Sequence, residues 1–218
     1  KRIEIPDIDA VAVTYGPGLE PALWVGLNFA KALAVTWDKP LIPVNHMEGH
    51  IVSVLMNENE ISNDEFLISK QQSVNFPAVA LLVSGAHTEL VLVKSWGEYE
   101  ILGQTRDDAV GEAYDKVARM LSLPYPGGPH ISRLADEARD AGIKPVDLTR
   151  PMINTDDYYF SFSGLKTAVL YALKKHETPI SEEEIKSFAR GFEEAAIDVL
   201  VSKTQRAMRE FAPLSLII

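Results

Sequence analysis

The sequence contains no cysteine, which excludes disulfides, thiolate metal sites and cysteine nucleophiles together. It has no apolar run long enough to span a membrane, because charges or prolines interrupt every candidate stretch. Histidine is scarce, with 5 in 218 residues. Positive charge is in deficit: 21 Lys and Arg against 31 Asp and Glu leave a formal net charge of -10. That argues against broad electrostatic capture of nucleic acid, while leaving room for an RNA delivered to a local basic patch or by a partner protein. No signal-peptide pattern is visible, so the expectation is a cytoplasmic or organelle-matrix protein. What is present is ordinary globular composition, 46% hydrophobic and 24% charged, in a chain long enough for one large domain or two small ones.

The most informative stretch is Asn45-His46-Met47-Glu48-Gly49-His50, after the apolar run Leu41 to Val44. Val44 should close a strand. If a helix starts at His46, the two imidazoles stack at i and i+4, the spacing at which one helix can offer two nitrogen ligands to one metal. The alternative is a His46 that ends the strand or caps a helix and a His50 that faces solvent. Glu48 stands two residues after the first His, so the H-E-x-x-H protease pattern is not met. It is expected to point away from the histidines as a solvated carboxylate.

In chain order, Asp9 to Tyr15 reads as a buried strand broken by Gly16-Pro17-Gly18. A helix follows from Glu20 or Pro21 through Trp37, with Leu23, Leu27, Ala30, Leu33 and Ala34 on one face. Asp38-Lys39-Pro40 stops it before the next strand. This is a βαβ unit, which places His46 and the glycine turn on one rim of the sheet. The turn lacks G-x-G-x-x-G spacing and is weighted as a packing turn. The His helix should fade at Asn57, and Glu58 to Asn75 should form a surface loop or domain boundary, with a short strand or turn near Asp64 to Ser69.

Ala78 to Val83 and Glu89 to Lys94 are expected to pair as a hairpin around Ser84-Gly85-Ala86-His87-Thr88, whose Gly85 and Ala86 N–H groups can face an anion as a nest. A third strand, Tyr99 to Gly103, follows. The next helix is expected to start at Asp107 or Asp108 as capping residues, burying Ala109, Ala113, Val117 and Met120. Asp108, Glu112 and Asp115 share another face. Either a ligand or metal-bound water relieves their repulsion, or Lys116 and Arg119 neutralise a solvated surface. Tyr125-Pro126-Gly127-Gly128-Pro129 leads into a helix from Ile131 to Ala141. After a loop to Tyr159, Phe160 to Thr167 opens a helix ending near Lys175, in which Lys166 is either a contact for RNA phosphate or a surface lysine. The last long helix, Ser181 to Arg209, carries a capping box in Ser181 with Glu184 and an apolar stripe at Ile185, Phe188, Phe192, Ala195 and Val199. Pro213 to Ile218 reads as a strand with nothing after it, and the expectation is either a fragment cut at both ends or sheets completed by another segment.

Taken together, Gly16-Pro17-Gly18, His46-Met47-Glu48-Gly49-His50, Leu82-Val83-Ser84-Gly85-Ala86-His87-Thr88, Asp107-Asp108-Ala109 with Gly111-Glu112-Ala113-Tyr114-Asp115-Lys116, Tyr125-Pro126-Gly127-Gly128-Pro129 and Phe160-Ser161-Phe162-Ser163-Gly164-Leu165-Lys166 resemble, in order, the signatures of the tRNA N6-adenosine threonylcarbamoyltransferases (TsaD), most closely the bacterial or organellar branch. The resemblance implies an α/β, actin/Hsp70-like (ASKHA) two-lobe fold, incomplete here. Residues 1–75 would belong to the first lobe and 76–218 to the second, with a nucleotide in the cleft. It implies transfer of threonylcarbamoyl from threonylcarbamoyl-AMP to N6 of the adenosine beside the anticodon in tRNAs reading ANN codons. His46 and His50 would hold Fe(2+) or Zn(2+), facing the hairpin loop. Leu82, Val83, Ser84, Gly85 and Ala86 would surround the adenylate phosphate, with Asp115 and Gly128 near its ribose or base. ATP or ADP would fit the same cleft. No covalent nucleophile is needed, in keeping with the missing cysteine. The implied partners are tRNA, a non-catalytic paralogue and a small ATPase, with no membrane.

Two departures stand out. Ala86 replaces the second glycine of the family's usual Ser-Gly-Gly-His, losing the freedom to take positive φ. The family's N-terminal hairpin and its C-terminal segment, with an Asp metal ligand and an Asn near the adenine, have no counterpart here, so two histidines alone under-coordinate a metal. Competing functions are a non-catalytic scaffold or dimerisation partner of the same complex, a metalloprotease disfavoured by the place of Glu48, and a sugar-kinase-like ATPase.

Overall fold

The computed structural model describes residues 6–54, 74–176 and 179–218. The chain divides into two units, Lys1–Ser73 and Val74–Ile218. In the first, β-rich Val11–Gly16 forms β1, and Glu20–Trp37 forms helix α1 with Pro in its first turn, where a missing N–H costs little. Asp38 ends α1 in a left-handed conformation, and its N–H returns to the Ala34 carbonyl. Ala30 and Ala34 are buried and Leu23, Leu27 and Leu33 half-buried, the face expected from the periodicity. Strand β2, Leu41–Asn45, runs parallel to β1 in a register that pairs Val11 with Leu41 and Gly16 with Asn45. The two strands therefore end together, and Gly16-Pro17-Gly18 shares a rim with the start of helix α2, His46–Ser53. The expected helix tail at 55–57 and most of the expected loop, residues 58–73, lie outside the described residues.

The second unit is built on a four-stranded sheet in the order β5-β4-β3-β6. Strands β3 (Ala78–Val83), β4 (Thr88–Ser95) and β5 (Glu98–Gln104) form the expected antiparallel meander, and the last apolar run supplies β6 (Ser215–Ile217), parallel to β3. Both faces of β3 and β4 are buried, which is why their sequences are continuously apolar rather than alternating. Val79, Leu81, Leu90 and Leu92 pack into one core with helices α3 (Val110–Met120), α4 (Gly127–Asp140), α5 (Ser163–Leu173) and α6 (Glu182–Phe211). Phe160 and Phe162, fully buried, plug this core just before α5. The capping box forms as expected, with Ser181 Oγ accepting the Glu184 N–H and Glu184 accepting the Ser181 N–H. That backbone hydrogen bond, with those from His176 and the Ser181 hydroxyl, holds the Glu184 carboxyl down to about 2. Among the described residues, no helix is long and apolar enough to cross a membrane.

Two helix starts differ from expectation. Helix α3 starts at Val110, with Ala109 rather than Asp107 or Asp108 at its N-cap, because both aspartates are engaged by α5 and the lysines. Helix α4 starts at Gly127 rather than Ile131, because a carboxylate from α3 accepts its first N–H.

Glu89 is the anomaly of the sheet. It pairs with Leu82 on one side and Gln104 on the other, is 7% exposed, and its Oε2 has no hydrogen-bond partner. Burial pushes its carboxyl above the ordinary 4.5. An acid whose folded pKa is raised loses stability as pH rises above its unfolded value. Glu89→Gln should therefore be more stable than the parent at neutral pH by about 1 kcal/mol. In thermal melts that advantage should shrink as pH falls through 4.5; a difference independent of pH would show that the charge is not the cost.

Candidate functional site

Asn45 closes β2 and caps α2: its Oδ1 accepts the Met47 N–H at 2.8 Å and the Glu48 N–H at 3.3 Å. Met47 and Ile51 are buried and fix the rotation of the helix. His46 and His50 then lie one turn apart, half-buried, with Nε2 atoms 3.2 Å from each other. The rings meet edge-on, with centroids 4.5 Å apart. Two nitrogens each about 2.0–2.1 Å from a tetrahedral zinc stand roughly 3.3 Å apart, so the pair fits two positions of one metal. Among the described residues there is no group of three or more His, Asp or Glu that could complete the set. Glu48, expected as a solvated carboxylate, is half-buried.

In the second unit, Leu82 is buried at the end of β3, Val83 is exposed, and Ser84 to His87 form the tight loop to β4. The Ser84 N–H donates to the His87 carbonyl at 2.9 Å, and Ser84 Oγ accepts the N–H groups of Ala86 and His87 at 3.2 and 3.0 Å. The Ala86 donor expected to face an anion is thus turned onto Ser84. Positive φ outside glycine occurs at Asp38, Ser122, Met152 and Ala212 among the described residues, so Ala86 keeps an ordinary conformation and needs no glycine.

Helix α3 gathers the remaining candidates. Its first turn lies against the loop. One turn later Asp115 Oδ1 accepts the Gly127 N–H at 2.7 Å, serving as the acceptor that Pro126, with no side-chain cap to give, leaves wanting. Gly127 abuts Ala118, Asp115 and Tyr114 too closely for a side chain, whereas a Cβ at Gly128 would meet nothing within 4 Å. Asp115 and Gly128 are therefore brought to one place, the N-terminus of α4.

The acidic face of α3 needs no ligand to explain it. Lys116 reaches Asp108 at 2.7 Å and Glu112 at 2.9 Å, and Lys166 reaches Asp108 at 3.0 Å. Lys166, weighed as a contact for RNA phosphate, is held in this pair. Burial works to raise the Asp108 pKa, and the two lysines outweigh it. Asp107 caps α5 from 56 positions away. Its Oδ1 accepts the Phe162 and Ser163 N–H groups at 2.9 and 3.1 Å, and its Oδ2 the Ser161 and Ser163 hydroxyls, both at 2.6 Å. These bonds outweigh burial and hold its carboxyl below 3.8. The Asn45 cap had a sequence signal, an Asn just before a helix start. The Asp107 cap had none, since nothing local says which helix an aspartate serves.

The family model for TsaD, tRNA N6-adenosine threonylcarbamoyltransferase, matches residues 1–218. Similar proteins carrying the name tRNA N6-adenosine threonylcarbamoyltransferase include one from Gemmatimonas aurantiaca, 50% identical over 218 residues, covering 96% of this chain and 57% of the relative. Another, from Burkholderia pseudomallei, is 50% identical over 208 residues, covering 93% of this chain and 56% of the relative. A third, from Staphylococcus epidermidis, is 45% identical over 220 residues, covering 100% of this chain and 58% of the relative. The chain thus spans a little over half the length of these relatives.

Removing the Asp107 cap should cost about 1 kcal/mol, the exposed setting keeping it modest. A depressed carboxyl pKa contributes stability above its unfolded value and loses it as pH falls through the folded one. Thermal melts of Asp107→Ala and the parent should differ most near neutral pH and converge below 3.8. A gap that persists in acid would place the cost elsewhere.

Proposed function

The chain belongs to the tRNA N6-adenosine threonylcarbamoyltransferase family, and from that premise we propose that it carries the metal pair and the adenylate loop of an enzyme that moves threonylcarbamoyl from threonylcarbamoyl-AMP to N6 of the adenosine beside the tRNA anticodon. The observation that carries this is the convergence of His46 and His50 Nε2 at 3.2 Å on the rim where β1 and β2 end. Residues 1–75 form the first lobe and 76–218 the second lobe of an actin/Hsp70-like fold. Leu82, Val83, Ser84, Gly85 and Ala86 surround the adenylate phosphate, with the Ala86 N–H held by Ser84 Oγ rather than offered to the ligand. Asp115 and Gly128, joined at the start of α4, take the ribose or base side. There the open space over Gly128 admits a flat group.

His46 and His50 hold Fe(2+) or Zn(2+), as two of its ligands; when bound, the ion supplies Lewis-acid polarisation of the carbamoyl carbonyl. The chemistry is acyl transfer. The N6 amine forms a bond to the carbamoyl carbon, the bond from that carbon to the phosphate oxygen breaks, AMP leaves with the electron pair, and the amine proton is lost to solvent. The chain's residues contribute by orienting the two substrates, since the mixed anhydride already contains a good leaving group. The partners are tRNA, a non-catalytic paralogue and a small ATPase, and the compartment is the cytoplasm.

Purified protein is expected to bind iron or zinc and to modify tRNA when given threonylcarbamoyl-AMP. His46→Ala or His50→Ala should each weaken metal binding by more than the roughly 10–100-fold that loss of a ligand's supporting contact costs, and abolish transfer. Metal analysis with a tRNA modification assay checks this. A protein that stays metal-free and inactive while binding its paralogue is a scaffold, and protein cleavage that requires Glu48 would restore the protease alternative.

A further inference from the structure

The loop from Ser84 to His87 is closed on itself by the hydrogen bonds of Ser84, and α3 supports it from outside. Thr88 is fully buried, and its Oγ1 accepts the Val110 N–H at 2.9 Å. Val110 is the first residue of α3, whose N-cap, Ala109, has no side-chain acceptor. Thr88 therefore satisfies an orphan N–H of a helix 22 positions away. The Thr88 carbonyl accepts the Thr105 N–H at 2.9 Å, and Thr105 Oγ1 donates to the Asp108 carbonyl at 2.7 Å, closing the turn that leads into α3. Gly111, the second residue of α3, lies beneath the loop. A Cβ there would stand 2.8 Å from both the Gly85 Cα and the Ser84 carbonyl oxygen, and 3.1 Å from the Gly85 nitrogen. Gly85 itself has open space where a Cβ would go. The steric demand for glycine thus sits in the helix that supports the loop, not in the loop.

We propose that Thr88 and Gly111 are positioning residues of the adenylate site: the Thr88 hydroxyl pins β4 to the first turn of α3, and the bare Gly111 lets that turn carry the Ser84-Gly85 backbone at the height needed to meet a phosphate. The proposal rests on the assignment of Leu82 to Ala86 to the adenylate. It goes further in naming two residues that touch no ligand and yet set affinity for it. Removing the hydroxyl leaves a buried N–H unpaired, and adding a methyl at Gly111 lifts the loop. Either change disturbs the phosphate contacts while leaving His46 and His50, in the other unit, as they are.

The test is ATP binding by calorimetry to the purified protein, with bound metal measured on the same samples. Thr88→Val and Gly111→Ala should each weaken ATP binding about tenfold or more with metal content unchanged, and Thr88→Ser, which keeps the hydroxyl, should restore it. Val199→Ala serves as the control, since it hollows the core at α6 and lowers Tm without touching the loop. If Gly111→Ala fails to fold, the Val and Ser pair at Thr88 decides. Should the parent bind ATP and Thr88→Val bind it equally well, or lose it only as far as Val199→Ala does, the positioning role is overturned while the loop assignment stands. Should the parent itself fail to bind ATP, the loop assignment fails and takes this proposal with it.

Discussion

The close approach of α3 to the β3–β4 loop is the constraint on which the second unit depends. It requires a residue without a side chain at 111 and a buried acceptor at 88, and it fixes the start of the helix at Val110. From that start the remaining geometry follows by helical spacing. Asp115 is one turn beyond Gly111, where its carboxylate meets the first N–H of α4. Gly127 can sit there because it too has no Cβ to strike Asp115 and Tyr114. One helix therefore sets both the loop and the glycine pair, and an error in its placement would misplace the two together.

A second set of contacts ties this helix to the far end of the sequence. Asp107 and Asp108 occupy the turn between β5 and α3, yet one caps α5 and the other holds Lys116 and Lys166. The segment before α5 is anchored in turn from α6. Lys203, 1% exposed, donates to Thr155 Oγ1 at 2.9 Å and to the Asp157 carbonyl at 2.8 Å, and Arg206 donates to the Thr155 and Asp157 carbonyls. Burial drives the Lys203 pKa down, and Asp157 opposes it. A buried ammonium is costly unless fully paired, and here its partners, the Thr155 hydroxyl and the Asp157 carbonyl and carboxylate, lie on the segment that must be ordered for Phe160 and Phe162 to enter the core. The polar network thus acts on the same segment that Asp107 holds.

The first unit works on a smaller scale. Two parallel strands end at the same level because Gly16 faces Asn45, and Asn45 both closes its strand and caps the helix that follows. The cap makes His46 the first helical residue, so that His50 lies directly above it. An ion held by this pair would need ligands beyond the two imidazoles, and the chain covers 56–58% of the length of the relatives compared.

Much of this was legible in the sequence, because it depends on residues close together along the chain. The βαβ unit, the hairpin, the Ser181–Glu184 capping box and the i, i+4 histidines follow from periodicity and caps, and the order of six motifs pointed to the family. What the sequence left open was which partner each polar group takes. Asp107 and Asp108 had every local mark of a helix cap, and tertiary contact turned them to α5 and to two lysines instead. Ala86 stood out as a loss of glycine, whereas the glycine that matters is Gly111, whose neighbours are 26 and 27 positions earlier. Local pattern fixes elements, since each residue's backbone preference and apolar spacing act within a few turns. Caps, close approaches and charge pairs between distant segments exist only once the elements have packed, and packing decides them.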